Sequence, residues 1–208
     1  MSINYFRNKL GKGLIKCAED EVEKITTIVM NNCLNKYIKN NNEEDLLNIK
    51  RNSQNEIELI NYNTKNANIM TTTITKMLEN DLAYMVKGEF NKINLDLKNI
   101  SEDYYTKIND GVIFYVSTGS ATGNSLLANI GPKIPLKLSL VENVSTNLST
   151  KITEYGINNA MIEVFINLKA NITINMPFLS KRITVKNRIP IDIHLIQGSI
   201  PSYYLGTK

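Results

Sequence analysis

The chain has one histidine, His194, in the stretch IPIDIHLIQG, two residues after Asp192. A histidine beside a carboxylate is the part of a hydrolytic site that accepts and orients a proton, and a Ser or Thr hydroxyl brought up by the fold would complete it. Alternation through the stretch puts Ile189, Ile191, Ile193 and Leu195 on one side of a strand and Asp192 with His194 on the other. A histidine on a polar surface is the reading this spacing favours. Cys17 and Cys33 lie on one helical pattern, about 24 Å apart along its axis, so they cannot pair and read as small apolar core residues. One histidine and two distant cysteines make no ligand cluster, and neither a metal nor a cofactor is expected. The carboxylates Glu19, Asp20, Glu21 and Glu23 alternate with apolar helix positions and read as a solvated face rather than an acid and base pair. No enzyme class emerges from these residues.

The stretch STGSATGNSLLANIGPKIP, from Ser117 to Pro135, raises phosphate chemistry because of its glycines. A phosphate-binding loop requires GxxxxGK[ST] between a strand and a helix. Gly119 and Gly123 are one residue too close, and Asn124 stands where the lysine belongs. The GxGxxG and GxSxG spacings are missing as well. The residues instead suggest a structural or binding corner made of Thr118, Gly119, Gly123, Asn124, Leu126, Leu127, Gly131, Pro132 and Pro135. Small capping residues open a short helical turn at Leu126 and Leu127, and the prolines force an extended entry into the strand that follows.

A second candidate surface is SKRITVKNR, where Lys181, Arg182, Lys186 and Arg188 fall close together. In a strand most of these share the solvent side, as a solvated face or a site for phosphate or lipid headgroups. The 24 basic and 20 acidic residues are scattered, giving a net charge of +4 without the clustered basic and aromatic face of a nucleic-acid binder. Nucleic acid is therefore not expected as a partner. No segment is long and apolar enough to span a membrane, and no signal-peptide core opens the chain, so the polypeptide as written is expected to be soluble. Asn143, Asn147 and Asn171 match glycosylation sequons, which a chain this rich in Asn, Ser and Thr produces by chance.

The elements that must hold these residues divide the 208-residue chain in two. From Ile3 to Ile38 apolar residues recur every three or four positions, predicting a long amphipathic helix. Two short apolar runs near 45–62 predict a hairpin with its turn at Asn52 to Asn55. A second helix is predicted from Thr64 to Ile93, with Ala67, Met70, Ile74, Met77, Leu78, Leu82, Met85 and Phe90 on one side. After a short strand at DGVIFYV the period becomes two. Ile134, Leu136, Leu138 and Leu140 alternate, then more loosely Val144, Leu148 and Ile152. Every even residue from Ile162 to Met176 is apolar, and the odd residues Ile183 to Leu195 continue the pattern. The fold class expected is α+β in a single domain over 1–208. A helix-rich half, 1–109, packs on a strongly twisted antiparallel meander of long strands, 110–208, in the manner of a tubular lipid-binding wrap.

The order STGSATGNSLLANIGPKIPLKLSLV, then EYGINNAMIEVFINLKANITINMPF, then ITVKNRIPIDIHLIQGSIPSYYL resembles the C-terminal half of the YunB family of endospore formers. GLIKCAEDEVEKITTIVMNN resembles that family's first helix. The sharpest pieces are TGNSLL, GPKIP, YGIN, MPF and GSIPSYY. The resemblance implies a non-enzymatic sporulation protein that acts by protein contacts with other sporulation or envelope proteins. It would be held at a membrane of the mother cell or forespore envelope by an N-terminal anchor that this chain does not carry. Ala160 and Met161 depart from the family pattern, which has a polar run there followed by His. The alternatives are a carrier of lipid or another apolar ligand between helix and sheet, and an envelope hydrolase built on His194 and Asp192.

Overall fold

The computed structural model describes residues 11–41, 46–53, 57–93, 95, 112–122, 125–127, 129–155, 159–177 and 179–197. Its first helix, α1 (Gly11–Asn40), buries Leu14, Ala18, Val22, Ile25, Val29, Cys33 and Leu34, the stripe expected from the period. Residues before Gly11 lie outside the described ones. The helix ends where Asn41 turns its backbone N–H and its side-chain Nδ2 onto the Tyr37 carbonyl, at 3.0 and 2.8 Å. The hairpin follows as β1 (Leu47–Arg51) and β2 (Ile57–Tyr62), antiparallel, with an irregularity at Lys50 and Arg51.

Helix α2 (Thr64–Val86) starts where the Asn63 side chain accepts from the Asn66 N–H at 3.2 Å, an N-cap that satisfies one orphan donor. The single helix expected to Ile93 is interrupted. Gly88 takes φ +73°, its N–H returns to the Met85 carbonyl at 2.9 Å, and a separate turn, α3 (Phe90–Ile93), resumes beyond it. Only glycine enters the left-handed region without penalty, so the chain stops here although its apolar spacing continues.

The meander is a four-stranded antiparallel sheet in the order β3 (Val112–Ser117), β4 (Lys133–Tyr155), β5 (Asn159–Met176), β6 (Leu179–Gln197). At 23, 18 and 19 residues the last three strands far exceed the usual length. Strands β3 and β6 are not paired with each other, so among the described residues the sheet is open. The even residues of β5 from Ile162 to Ile174 are all buried, and their odd neighbours are half-buried or exposed. That alternation defines an inner face, covered by the helices, and an outer face. Helix α1 lies along β6, tied by Asn31 to Asn187 at 2.8 Å and by an ion pair from Glu19 to Lys181, while α2 packs on β4. Glu19 therefore meets the sheet instead of belonging to a purely solvated face. Buried side chains of both helices, β1 and the sheet join one apolar cluster. Fully burying each of its Leu, Ile or Val side chains stabilises the fold by about 1.5–3 kcal/mol.

Register shifts break the period of two. Strand β4 carries two, between Ser139 and Val141 and between Glu142 and Ser145, with Asn143 at φ +51°. They bring Val141 opposite Ile172, and then Thr146, Leu148 and Ile152 opposite Leu168, Ile166 and Ile162. The loose spacing of the expected strand is this pair of bulges. Strand β6 carries another, since Pro190 faces Phe165 while Asp192 faces Val164 and leaves Ile191 extra.

Candidate functional site

The glycine-rich stretch folds into two short 3-10 turns, Thr118–Thr122 and Ser125–Leu127, between β3 and β4. Gly119 donates to the Ile130 carbonyl at 2.9 Å, Thr118 to the Pro132 carbonyl at 3.0 Å, and Ile130 to the Leu127 carbonyl at 2.9 Å. A Cβ on Gly119 would stand 1.8 Å from the Leu127 carbonyl oxygen and 2.5 Å from that of Ile130, so the two arms cross at a point only glycine can occupy. Gly131 turns the chain at φ +97°. Pro132 follows it, and Pro135 lies within β4 opposite Tyr115. Gly123 and Asn124 lie outside the described residues. The corner rests on α1, where the Cys17 thiol approaches the Ser120 carbonyl at 3.5 Å, and Leu126 is 84% exposed. Its backbone N–H groups close the corner on itself, which makes it a joint between the helical half and the sheet.

The extra residue at Ile191 changes where the histidine points. Alternation predicts Asp192 and His194 on the polar face, but beyond the bulge the parity reverses. Asp192 and His194 oppose Val164 and Ile162 on the inner face, while Ile193 and Leu195, 56% and 60% exposed, turn outward. The expectation of a polar-face histidine is corrected by that single inserted residue. His194 Nε2 lies 2.8 Å from Asp192 Oδ2, both half-buried. Among the described residues no serine or threonine hydroxyl bonds to this pair.

The basic stretch of β6 is split by the pleat. Lys181 faces inward to Glu19, whereas Arg182, Lys186 and Arg188 share the outer face opposite Thr173, Lys169 and Asn167. Arg182 pairs with Glu142 at 2.6 Å, and the Arg188 guanidinium stacks 3.9 Å from the Phe165 ring centroid. Around them run side-chain bonds across the strands: Asn167 to Ser149, Asn175 to Ser139, Ser180 to Asn175 and Thr184 to Asn171, at 2.6–2.8 Å.

Two features escape the sequence. Strand β3 pairs with β4 only from Lys133 to Lys137, so among the described residues no strand pairs with that side of β4 from Leu138 to Tyr155. Near its end Ile152 is 64% exposed on the inner face. The other is a groove of about 470 Å³ between α2 and β4, lined by Glu79, Ala83, Val86, Lys87, Val141, Asn143 and Val144. The loosened period of β4 was the one available signal for both.

Between the helices, Lys36 reaches Asp81 at 3.2 Å and also the Ile93 carbonyl, while Asn32 bonds the same carbonyl at 3.3 Å. Burial pushes the Asp81 carboxyl above its ordinary range, and the Lys36 ammonium opposes that. The Cys33 thiol, bonded to the Ile74 carbonyl at 3.8 Å, is pushed up to about 12, by burial first and by the Asp81 charge second. This seam is structural, and both cysteines are free. Among the described residues no group of His, Cys, Asp and Glu is placed to hold a metal ion, and no helix is long and apolar enough to cross a membrane.

Long helices laid on an antiparallel sheet of very long strands define an α+β protein. A family model described as sporulation protein YunB matches residues 113–203, and the chain is 30% identical over 195 residues to "Sporulation protein YunB" of Bacillus subtilis (strain 168), covering 93% of this chain and 71% of that relative. The chain belongs to the YunB family of sporulation proteins. No solved structure matches it.

Proposed function

We propose that this sporulation protein works without catalysing a reaction, as a contact protein beside a membrane of the developing spore, and that its partner is another sporulation or envelope protein that adds a strand to the free edge of β4. The observation that carries the reading is that, among the described residues, no strand pairs with the side of β4 away from β5 from Ser145 to Tyr155, a stretch in which Ile152 is exposed. The opposite edge is guarded differently. Strand β6 carries Pro190 and a series of cations, devices that discourage pairing with another chain, while the end of β4 has no proline and only Lys151 and Glu154 as charges. An extended segment laid along β4 would gain main-chain hydrogen bonds, and its alternate side chains would cover Leu148 and Ile152.

The alternative, a carrier of lipid or another apolar ligand, draws on the groove beside α2. It has less support because Ile74, Leu78, Leu82 and Met85 fill the helix side of the interface, and Leu136, Ile166, Leu168 and Ile172 fill the sheet side. The hydrolase reading draws on His194 and Asp192 alone. Complementation of a strain lacking the protein separates these readings. Thr150→Lys with Ile152→Lys is expected to abolish spore formation with the melting temperature unchanged, and His194→Asn to leave sporulation intact. The reverse pattern would assign the function to the histidine pair.

A further inference from the structure

The outer face of the sheet carries far more positive than negative charge. By register, Lys133, Lys137 and Lys151 of β4, Lys169 of β5, and Arg182, Lys186 and Arg188 of β6 all lie on it. The carboxylates sharing that face within the sheet, Glu142 and Glu163, are already engaged by Arg182 at 2.6 Å and Lys151 at 3.5 Å. Among the described residues Lys133, Lys137, Lys169 and Lys186 have no acidic partner. Lys169 and Lys186 stand directly opposite one another on neighbouring strands, where like charges destabilise a sheet and any Thr or Ser would serve the fold better. The polar side chains around them satisfy one another, so the cations project from a surface that offers them no internal counterion. The same face also exposes Tyr115 at one end and Ile193 with Leu195 at the other, 47%, 56% and 60% exposed.

From this arrangement we infer that the outer sheet face docks on the surface of an anionic phospholipid bilayer. The cations are spread along the strands, from Lys133 to Lys151 on β4 over up to roughly 60 Å at 3.3 Å per residue, and this suits an extended field of headgroups better than a small anion in a pocket. Exposed aliphatic and tyrosine side chains on the same face can enter the interface beside the headgroups, a contact that a dissolved polyanion does not reward. The inference rests on the reading that places the chain beside a membrane. It does not involve the free edge of β4, which remains open to a protein partner when the outer face is seated.

Vesicle sedimentation with the purified 208-residue chain tests it. The expected result is binding to vesicles of phosphatidylcholine with phosphatidylglycerol at 0.1 M salt, absent on phosphatidylcholine alone and weakened at 0.5 M salt. Lys169→Gln with Lys186→Gln should reduce binding about tenfold or more, since each cation near an anionic surface counts individually. Lys12→Gln with Lys39→Gln, an equal charge change on α1, should leave it within about threefold. Ile193→Ser with Leu195→Ser should weaken it as well. Equal losses for both lysine pairs, or no binding at low salt, would overturn the proposal. A soluble polyphosphate that binds as tightly as vesicles, with Ile193→Ser and Leu195→Ser neutral, would overturn it too by reassigning the face to a polymer. Because these assays contain no protein partner, their failure leaves the strand-edge reading standing, and failure of Thr150→Lys with Ile152→Lys in cells leaves this one standing.

Discussion

Cys33 sits in the seam between α1 and α2 with no exposed surface, and its thiol is held neutral by burial and by the nearby Asp81 carboxylate. The folded protein keeps this proton up to about pH 12, against 9.0 for an ordinary thiol, so unfolded chains lose it first as pH rises. The contribution to stability is complete below pH 9.0 and is lost as pH climbs toward 12. Cys33→Ala should flatten that alkaline limb in urea titrations. A thiol reagent at pH 8 should modify Cys17 slowly and Cys33 only after unfolding. At the corner, Gly119→Ala is expected to cost about 3 kcal/mol or more, because the new methyl group meets backbone oxygens that cannot move independently. Gly131→Ala should cost about 1–2 kcal/mol, for its left-handed φ and a contact with the Thr118 hydroxyl that rotation relieves. Urea midpoints of the two variants check the order.

Parity is the property of β6 on which its surface depends. Val185 precedes the bulge and is buried, whereas Ile193 follows it and faces out. Val185→Asn is expected to cost about 3 kcal/mol and Ile193→Asn less than about 0.5 kcal/mol, measured by chemical denaturation. Equal costs would mean that the strand runs without its extra residue. The same contrast explains what was legible in the sequence. Helical and strand periods are written in side-chain types, so α1, α2, the hairpin and the long strands could be read directly, as could the buried even residues of β5. The bulges of β4 loosen its period, but the bulge of β6 is a backbone event that leaves the odd-numbered apolar pattern unbroken. Pro190 next to Ile191 is a signal only in hindsight, and the outward turn of Ile193 and the inward turn of His194 could not be read. Gly88 was visible as a residue, but the apolar spacing on both sides of it concealed the break. The pairing of Lys169 with Lys186 depends on register, which alternation alone does not determine.

At the scale of the whole molecule, one apolar cluster draws on both helices, β1 and the sheet, and neither half can cover its apolar side alone. Loss of secondary structure by circular dichroism and exposure of tyrosines by fluorescence, in a chain without tryptophan, should therefore share one thermal midpoint. Two separated transitions would show that the halves fold independently. The tie between Asn31 and Asn187 spans 156 positions of sequence. A ribosome adding about 5–20 residues per second makes this part of α1 roughly 8–30 s before it makes the strand the helix lies against. Throughout that interval α1 lacks the strand it lies along. A nascent chain halted before Leu179 would carry α1 with the side that lies along β6 uncovered.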